Sequence, residues 1–211
     1  MNTKIFKITE SSPDIAVLTE CAQIIKNGGL VAFPTETVYG LGANALLDEA
    51  CKKIFVAKNR PQEKALLCHV YDLEMAETIA VLNDKAKKLI AAFTPGPLTV
   101  IVPKKDCIGN VVSAGMDTVG LRFPSNNISR LLIKLAGVPI AAPSANISSF
   151  PPPTSGIQTI ENLLDRVDVI IDGGETSVGI ESTIVSLVGD KPKILRLGAV
   201  SAEKIAEVIE L

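Results

Sequence analysis

One histidine, no tryptophan and four scattered cysteines remove several chemistries at the outset. His69 alone cannot build a histidine-rich metal centre, and no GxSxG string accompanies it to suggest a hydrolase triad. Cys21, Cys51, Cys68 and Cys107 make no CxxC pair and no Cys/His set at zinc spacing, so free, buried thiols and no protein-held structural metal are expected. Charge of one sign is lacking too. A formal net charge of -2 with 21% charged residues exerts no global pull on nucleic acid, and 4% aromatics offer little stacking surface. Any nucleic-acid role must therefore rest on a local basic patch. No apolar run approaches membrane-spanning length, and the opening MNTKIFKITESSPD carries charges where a signal peptide needs an unbroken apolar stretch. A soluble, cytoplasmic chain with no membrane partner is the expectation. Walker and GxGxxG nucleotide fingerprints are absent as well.

What is present is apolar: 47% of 211 residues, enough for a sizeable core. No repeat, charge block or low-complexity linker divides the chain, so one domain over 1–211 is expected. Residues 3–33 read strand, helix, strand, with Ser12 as the expected N-cap, Pro13 in the first turn and Gly28 just past the end. Ile15, Leu18, Ala22 and Ile25 fall on one helical face. The same spacing recurs at Ala86, Leu89, Ile90 and Phe93, at Ile128, Leu131, Leu132 and Leu135, and at Ile205, Val208 and Ile209. Short runs read as strands: LVAFP, LLCHV, LTVIV, VGLRF, PIAAP, VDVIID, STIVSL and KILRL, the last two spaced as an antiparallel pair. The fold class is α/β, a twisted mixed parallel and antiparallel sheet with helices packed on it.

Function belongs in the irregular stretches left over, near 34–47, 58–65, 103–117, 144–155 and 173–181. PTETVYGLGANA (34–45) offers hydroxyls at Thr35 and Thr37, a carboxylate at Glu36 and glycines for close backbone approach, or simply a glycine turn. KNRP places Lys58 and Arg60 at a helix C-terminus, where cations suit the macrodipole but are also a point charge and a planar fork fit for phosphate or carboxylate. Arg122 and Arg196 lie in apolar strand-like runs, so each needs an anion, either a protein carboxylate or a ligand. Ser144 and Asn146 close APSAN at a strand end, as a turn or as ligand contacts. His69 reads as a hydrogen-bonded structural residue or, with a neutral ring, as a partner for a substrate hydroxyl or carboxylate.

Taken in order, PTETVYGLGANA, KNRP, LLCHV, PGPLTVIV, VGLRFP, IAAPSAN, VDVIIDGG, GIESTIV and ILRLGA resemble the YrdC/Sua5 family, the threonylcarbamoyl-AMP synthases, across roughly residues 10–200. The resemblance implies a twisted α/β domain around a large electropositive cavity. There L-threonine, bicarbonate and ATP with Mg2+ would form threonylcarbamoyl-AMP and pyrophosphate, in support of tRNA modification by a downstream threonylcarbamoyl-transferase complex. By motif, Thr35, His69, Arg122 and Ser182 would hold threonine. Lys58 and Arg60 would be catalytic and face the ATP phosphates. Thr118, Ser144, Asn146 and Arg196 would contact the adenylate portion or close the cavity around it. The chain departs from the pattern at Lys64 and Ala65, where Asn-Pro is usual, at Pro152, where serine is common, and at Leu197, which replaces a proline. The appended domain of the Sua5 type is not expected within these residues.

Two rivals accompany that reading. A double-stranded RNA or tRNA binding role, or ribosome assembly, would give salt-sensitive RNA binding without pyrophosphate release. A carbamoyl-transfer domain of the hydrogenase-maturation type would be expected to bring extra domains and paired-cysteine zinc motifs.

Overall fold

Most of the apolar stripes become buried faces in the computed structural model, which describes residues 2–211. In chain order the elements are β1 (Lys4–Lys7), α1 (Ile15–Lys26), β2 (Val31–Phe33), β3 (Gly40–Asn44), α2 (Asp48–Lys58), β4 (Leu67–His69), α3 (Leu73–Ile79), α4 (Asp84–Phe93) and β5 (Leu98–Pro103). Then follow α5 (Asn110–Ser113), β6 (Thr118–Arg122), α6 (Asn127–Ala136), β7 (Ile140–Ala141), α7 (Gly156–Leu163), β8 (Val169–Asp172), β9 (Thr183–Ser186), β10 (Lys193–Arg196) and α8 (Ala202–Ala206). Helix α8 is shorter than its stripe, with Val208 and Ile209 lying just beyond it.

The first helix starts two residues later than the sequence suggests. Asp14, not Ser12, is the N-cap, its carboxylate accepting the Val17 N–H at 3.1 Å. Ser12 closes a turn by donating its N–H to the Thr9 carbonyl at 3.2 Å. A carboxylate at the cap does the same bonding as a hydroxyl and adds a charge suited to the helix dipole.

Ten strands form one mixed sheet in the order β1-β8-β2-β3-β7-β4-β6-β5-β9-β10. The terminal β9 and β10 pair antiparallel, as expected from their spacing. Strand β3 was not expected: GLGAN, read as loop, runs antiparallel to β2 with Val31 opposite Gly42 and Phe33 opposite Gly40. Glycine serves packing there rather than a turn. A Cβ on Gly42 would fall 2.7 Å from both Ile140 Cγ2 and Phe33 Cε1, so the sheet closes over this strand only if it is bare.

Alternation along the strands sorts two apolar layers. Ala32, Ile170, Cys68, Val119, Leu121 and Val185 face the larger layer, with Ile54 and Phe55 of α2 and Leu89 of α4. Val31, Phe33, Val169 and Ile171 face the other, under α1 and α6. His69, Arg122 and Ile184 point away from the larger layer, along strands that α1 and α6 leave uncovered; the cavity described below lies there. Cys21, Cys51 and Cys68 are buried free thiols and Cys107 is an exposed one. Among the described residues no helix is long and apolar enough to cross a membrane.

Candidate functional site

The cavity measures about 300 Å³ and gathers Thr35, Arg60, His69, Arg122, Ser144, Ser182 and Arg196 on its wall, together with Lys64 and Glu181. Residues far apart in sequence meet there because β3 is pinned to the 139–145 segment. Leu41 N–H donates to the Pro143 carbonyl at 2.9 Å and Ala145 N–H to the Tyr39 carbonyl at 2.8 Å. Tyr39 fixes the far side: its hydroxyl donates to the Gly174 carbonyl at 2.7 Å and accepts the Gly173 N–H at 2.9 Å.

Arg122 ends β6 only 4% exposed, and its partner is a protein carboxylate. One terminal nitrogen, Nη2, donates to Glu36 Oε1 at 3.0 Å, to Thr37 Oγ1 at 2.7 Å and to Thr35 Oγ1 at 3.3 Å. The second Glu36 oxygen accepts the Ser125 N–H at 3.1 Å, so the carboxylate ties the PTET strap to the segment after β6. Thr35 holds the strap's own shape, donating to the Val38 carbonyl at 2.6 Å. Arg122 Nε is buried without a protein partner. The guanidinium is thus anchored from behind by one nitrogen and carries an unspent donor.

His69 pairs with Arg122 across β4 and β6. Burial, then the Arg122 cation, pushes its pKa down to about 3, so the ring is neutral near pH 7. Its Nδ1 is buried with no partner. Because the folded value lies below the ordinary 6.5, the unfolded chain binds the proton first as the solution is acidified. Stability conferred by the neutral ring is therefore complete above pH 6.5 and drains between 6.5 and about 3 at roughly 1.4 kcal/mol per pH unit. Urea unfolding of wild type and His69→Gln at pH 6.5 and 4.5 should show wild type losing on the order of 2 kcal/mol more than the variant. Equal losses would mean that His69 does not titrate as stated.

At the end of α2, Asn59 adopts a left-handed conformation, φ 50°, and turns the chain so that Lys58 and Arg60 diverge. Lys58 is 2% exposed. Its Nζ donates to the carbonyls of Ser144 and Asn146, the latter at 2.5 Å, and to Asn146 Oδ1 at 3.4 Å, while Ser148 N–H donates to the Lys58 carbonyl at 2.8 Å. Burial, followed by the neighbouring Arg60 charge, lowers the ammonium's pKa to about 7. Arg60 is half-buried, lies 5.8 Å over the Phe55 ring and leaves its Nε unpartnered. Of the two, only Arg60 reaches the central cavity. Both line an adjoining basin of about 370 Å³ with Lys64, Glu63, Ser148 and Ser149.

On the opposite wall Ser182 shares a 2.8 Å hydrogen bond with Thr99. Arg196 clamps the same turn, donating Nε and Nη2 to the Ser182 carbonyl at 3.1 and 3.0 Å and Nη1 to Glu181 at 2.8 Å. Like Arg122, it finds a protein carboxylate.

Three of the expected site residues are not on the cavity wall. Lys58 is turned onto the 144–146 carbonyls, and Asn146 spends its amide on the carbonyls of Ile147 and Phe150 at 3.0 and 2.8 Å. Thr118 sits at the start of β6 opposite Pro103, four residues or about 13 Å along the strand from Arg122. Conversely, Glu36, Lys64, Glu181 and Thr99 contribute to the site without having been given a role from sequence. A buried strand arginine announces that an anion is near but not which one. Among the described residues no group of three or more His, Cys, Asp and Glu is placed to hold a metal ion, and Glu181 on the wall is already paired to Arg196.

Comparison with known proteins agrees with the fold. A family model named Sua5_yciO_yrdC, described as "Telomere recombination", matches residues 23–198. The threonylcarbamoyl-AMP synthase of Pyrococcus abyssi is 47% identical over 89% of this chain and 56% of its own length. That of Bacillus subtilis is 42% identical over 96% of this chain and 58% of its own. A crystal structure of P. abyssi Sua5 complexed with L-threonine superposes with a TM-score of 0.96 at 44% identity, covering 99% of this chain and 61% of that one. The chain thus spans a little over half the length of these relatives.

Proposed function

This chain belongs to the Sua5/YciO/YrdC family, and from that premise we propose that it forms threonylcarbamoyl-AMP and pyrophosphate from L-threonine, bicarbonate and ATP, for use in tRNA modification. The observation that carries the reading is the convergence of Arg60, Lys64, Arg122 and Arg196 on one cavity wall that holds a single carboxylate, Glu181. Arg122 and Arg196 are each paired to a carboxylate, Glu36 and Glu181, so the net positive charge is that of Arg60 and Lys64, which suits reactants whose carboxylate, bicarbonate and phosphate groups repel one another.

The chemistry needs no protein nucleophile. Threonine's amine and bicarbonate give a carbamate with loss of water. A carbamate oxygen then attacks the α-phosphorus of ATP, and the diphosphate departs with the bridging oxygen. Catalysis falls to positioning and to charge that is already oriented before the reaction. Arg122 is suited to the threonine carboxylate, since its Nε is free while Nη2 is fixed by Glu36. Neutral His69, with an open Nδ1 beside it, is suited to a hydroxyl or ammonium donor. Thr35, bonded to Arg122, and Ser182, bonded to the Thr99 that pairs with Arg122 across β5 and β6, line the cavity beside it. Arg60 neutralises phosphate charge, Ser144 and Arg196 border the nucleotide, and Lys58 acts through the loop it holds, with Asn146. Thr118 would reach only a part of the nucleotide extending along the sheet. Mg2+ enters as the counter-ion of the nucleotide substrate.

Pyrophosphate release from ATP measured with and without threonine and bicarbonate tests the proposal. Release should require both. Release that ignores either one would reject it.

A further inference from the structure

Thr99 on β5 is 0% exposed and does not reach the cavity wall, and among the described residues its hydroxyl has one protein partner, the hydroxyl of Ser182 at 2.8 Å. A ligand in the cavity therefore meets Ser182 and never Thr99. Packing fixes the threonine rotamer, since its methyl lies over Gly120, where a Cβ would stand 3.5 Å from it. Register sets Thr99 opposite Arg122 across β5 and β6, so the serine it touches is held beside the guanidinium suited to a carboxylate.

The hydroxyl protons can be arranged in only one satisfied way. A hydroxyl has one proton to give and two lone pairs to fill. Ser182 Oγ already accepts from Arg196 Nη2 at 3.3 Å, because a guanidinium only donates. If Ser182 gave its own proton to Thr99, the Thr99 proton would be buried without an acceptor, which is costly and rare in folded proteins. With Thr99 as donor its proton is satisfied, both Ser182 lone pairs are filled, and the Ser182 proton is left for the occupant of the cavity. Ser182 then meets a ligand as a donor, which favours an anionic oxygen over an ammonium.

We propose that Thr99 is a positioning residue for the reaction: by donating to Ser182 it turns that hydroxyl into a fixed donor for the threonine carboxylate, beside Arg122. The inference rests on the function proposed above for this cavity. Thr99 touches no reactant, so its whole effect passes through the direction of one proton.

Titration calorimetry with L-threonine alone reads this role without requiring turnover. Ser182→Ala should weaken threonine binding about tenfold, the effect of losing one hydrogen bond to a charged group. Thr99→Val, nearly the same shape without the donor, should reproduce most of that loss, and Thr99→Ser should restore the affinity. Because Thr99 acts through Ser182, the double variant Thr99→Val with Ser182→Ala should bind threonine no more weakly than Ser182→Ala. In steady-state assays Thr99→Val should raise the KM for threonine and leave the KM for ATP unchanged, a split that general loosening of β5 would not give. Should the valine variant not fold, Thr99→Cys, a weak donor of similar size, takes its place. Wild-type affinity in Thr99→Val, losses that add in the double variant, a Thr99→Ser protein no better than the valine, or no threonine binding in wild type each overturns the role. Thr99-dependent threonine binding in a protein that releases no pyrophosphate from ATP with threonine and bicarbonate would keep the role and overturn the reaction instead.

Discussion

Arg60→Ala should lower kcat/KM for pyrophosphate release by about 10²- to 10³-fold, the usual consequence of deleting one preorganised donor from a charge-stabilising site. The same change should shift unfolding free energy by no more than about 1 kcal/mol, because the side chain is half-buried and its Nε bonds to nothing in the protein. Lys58→Ala should behave differently although it lies only two residues away. Its ammonium satisfies the carbonyls of Ser144 and Asn146, and each buried acceptor left unpaired costs about 1–3 kcal/mol. Activity and stability should therefore fall together in Lys58→Ala, by several kcal/mol on the stability side. Denaturant unfolding beside steady-state rates separates the two. Near-normal rates in Arg60→Ala would remove it from the chemistry, and a Lys58→Ala protein that unfolds like wild type but turns over slowly would show Lys58 acting on substrate directly.

That contrast also marks how far sequence carried. KNRP placed two cations at a helix end, and both are there, but spacing alone could not reveal that beyond a left-handed Asn59, Arg60 reaches the central cavity while Lys58 is held on the Ser144 and Asn146 carbonyls. Helix stripes and the eight strand-like runs were legible because burial on one face imposes a period that survives in the sequence. Strand β3 was not, because GLGAN owes its place to close packing against Phe33 and Ile140, and glycine carries no periodic signal. Arg122 was recognisable as a cation needing an anion. That Glu36 supplies it depends on a strap 86 residues away in sequence folding back over β6, a long-range contact that no local pattern encodes. Thr118 illustrates the reverse: alternation puts it on the same face as Arg122, but two pleats too far along to share the cavity.

The Glu36–Arg122 pair is where a single charge removal should cost most. Both side chains are about 5% exposed or less, and Glu36→Ala would leave a cation buried among Thr35, Thr37 and His69 with no anion beside it. Breaking a buried pair from one side costs about 3–5 kcal/mol, far more than the pair's net worth against apolar replacements. Glu36→Gln, which preserves an oxygen for the Ser125 N–H, should lose less, and the double variant Glu36→Gln with Arg122→Met should lose less than the sum of the two singles. Urea unfolding of the four proteins gives the coupling directly, and additive losses would deny that the two side chains compensate each other. Threonine adds a second readout. If its carboxylate docks on Arg122, saturating threonine supplies the missing anion in Glu36→Gln and should raise that variant's melting temperature more than it raises wild type's, since a ligand stabilises by its preference for the folded state it completes. Equal increments in the two proteins would place the substrate carboxylate on another cation, with Arg122 left as a structural partner of the strap.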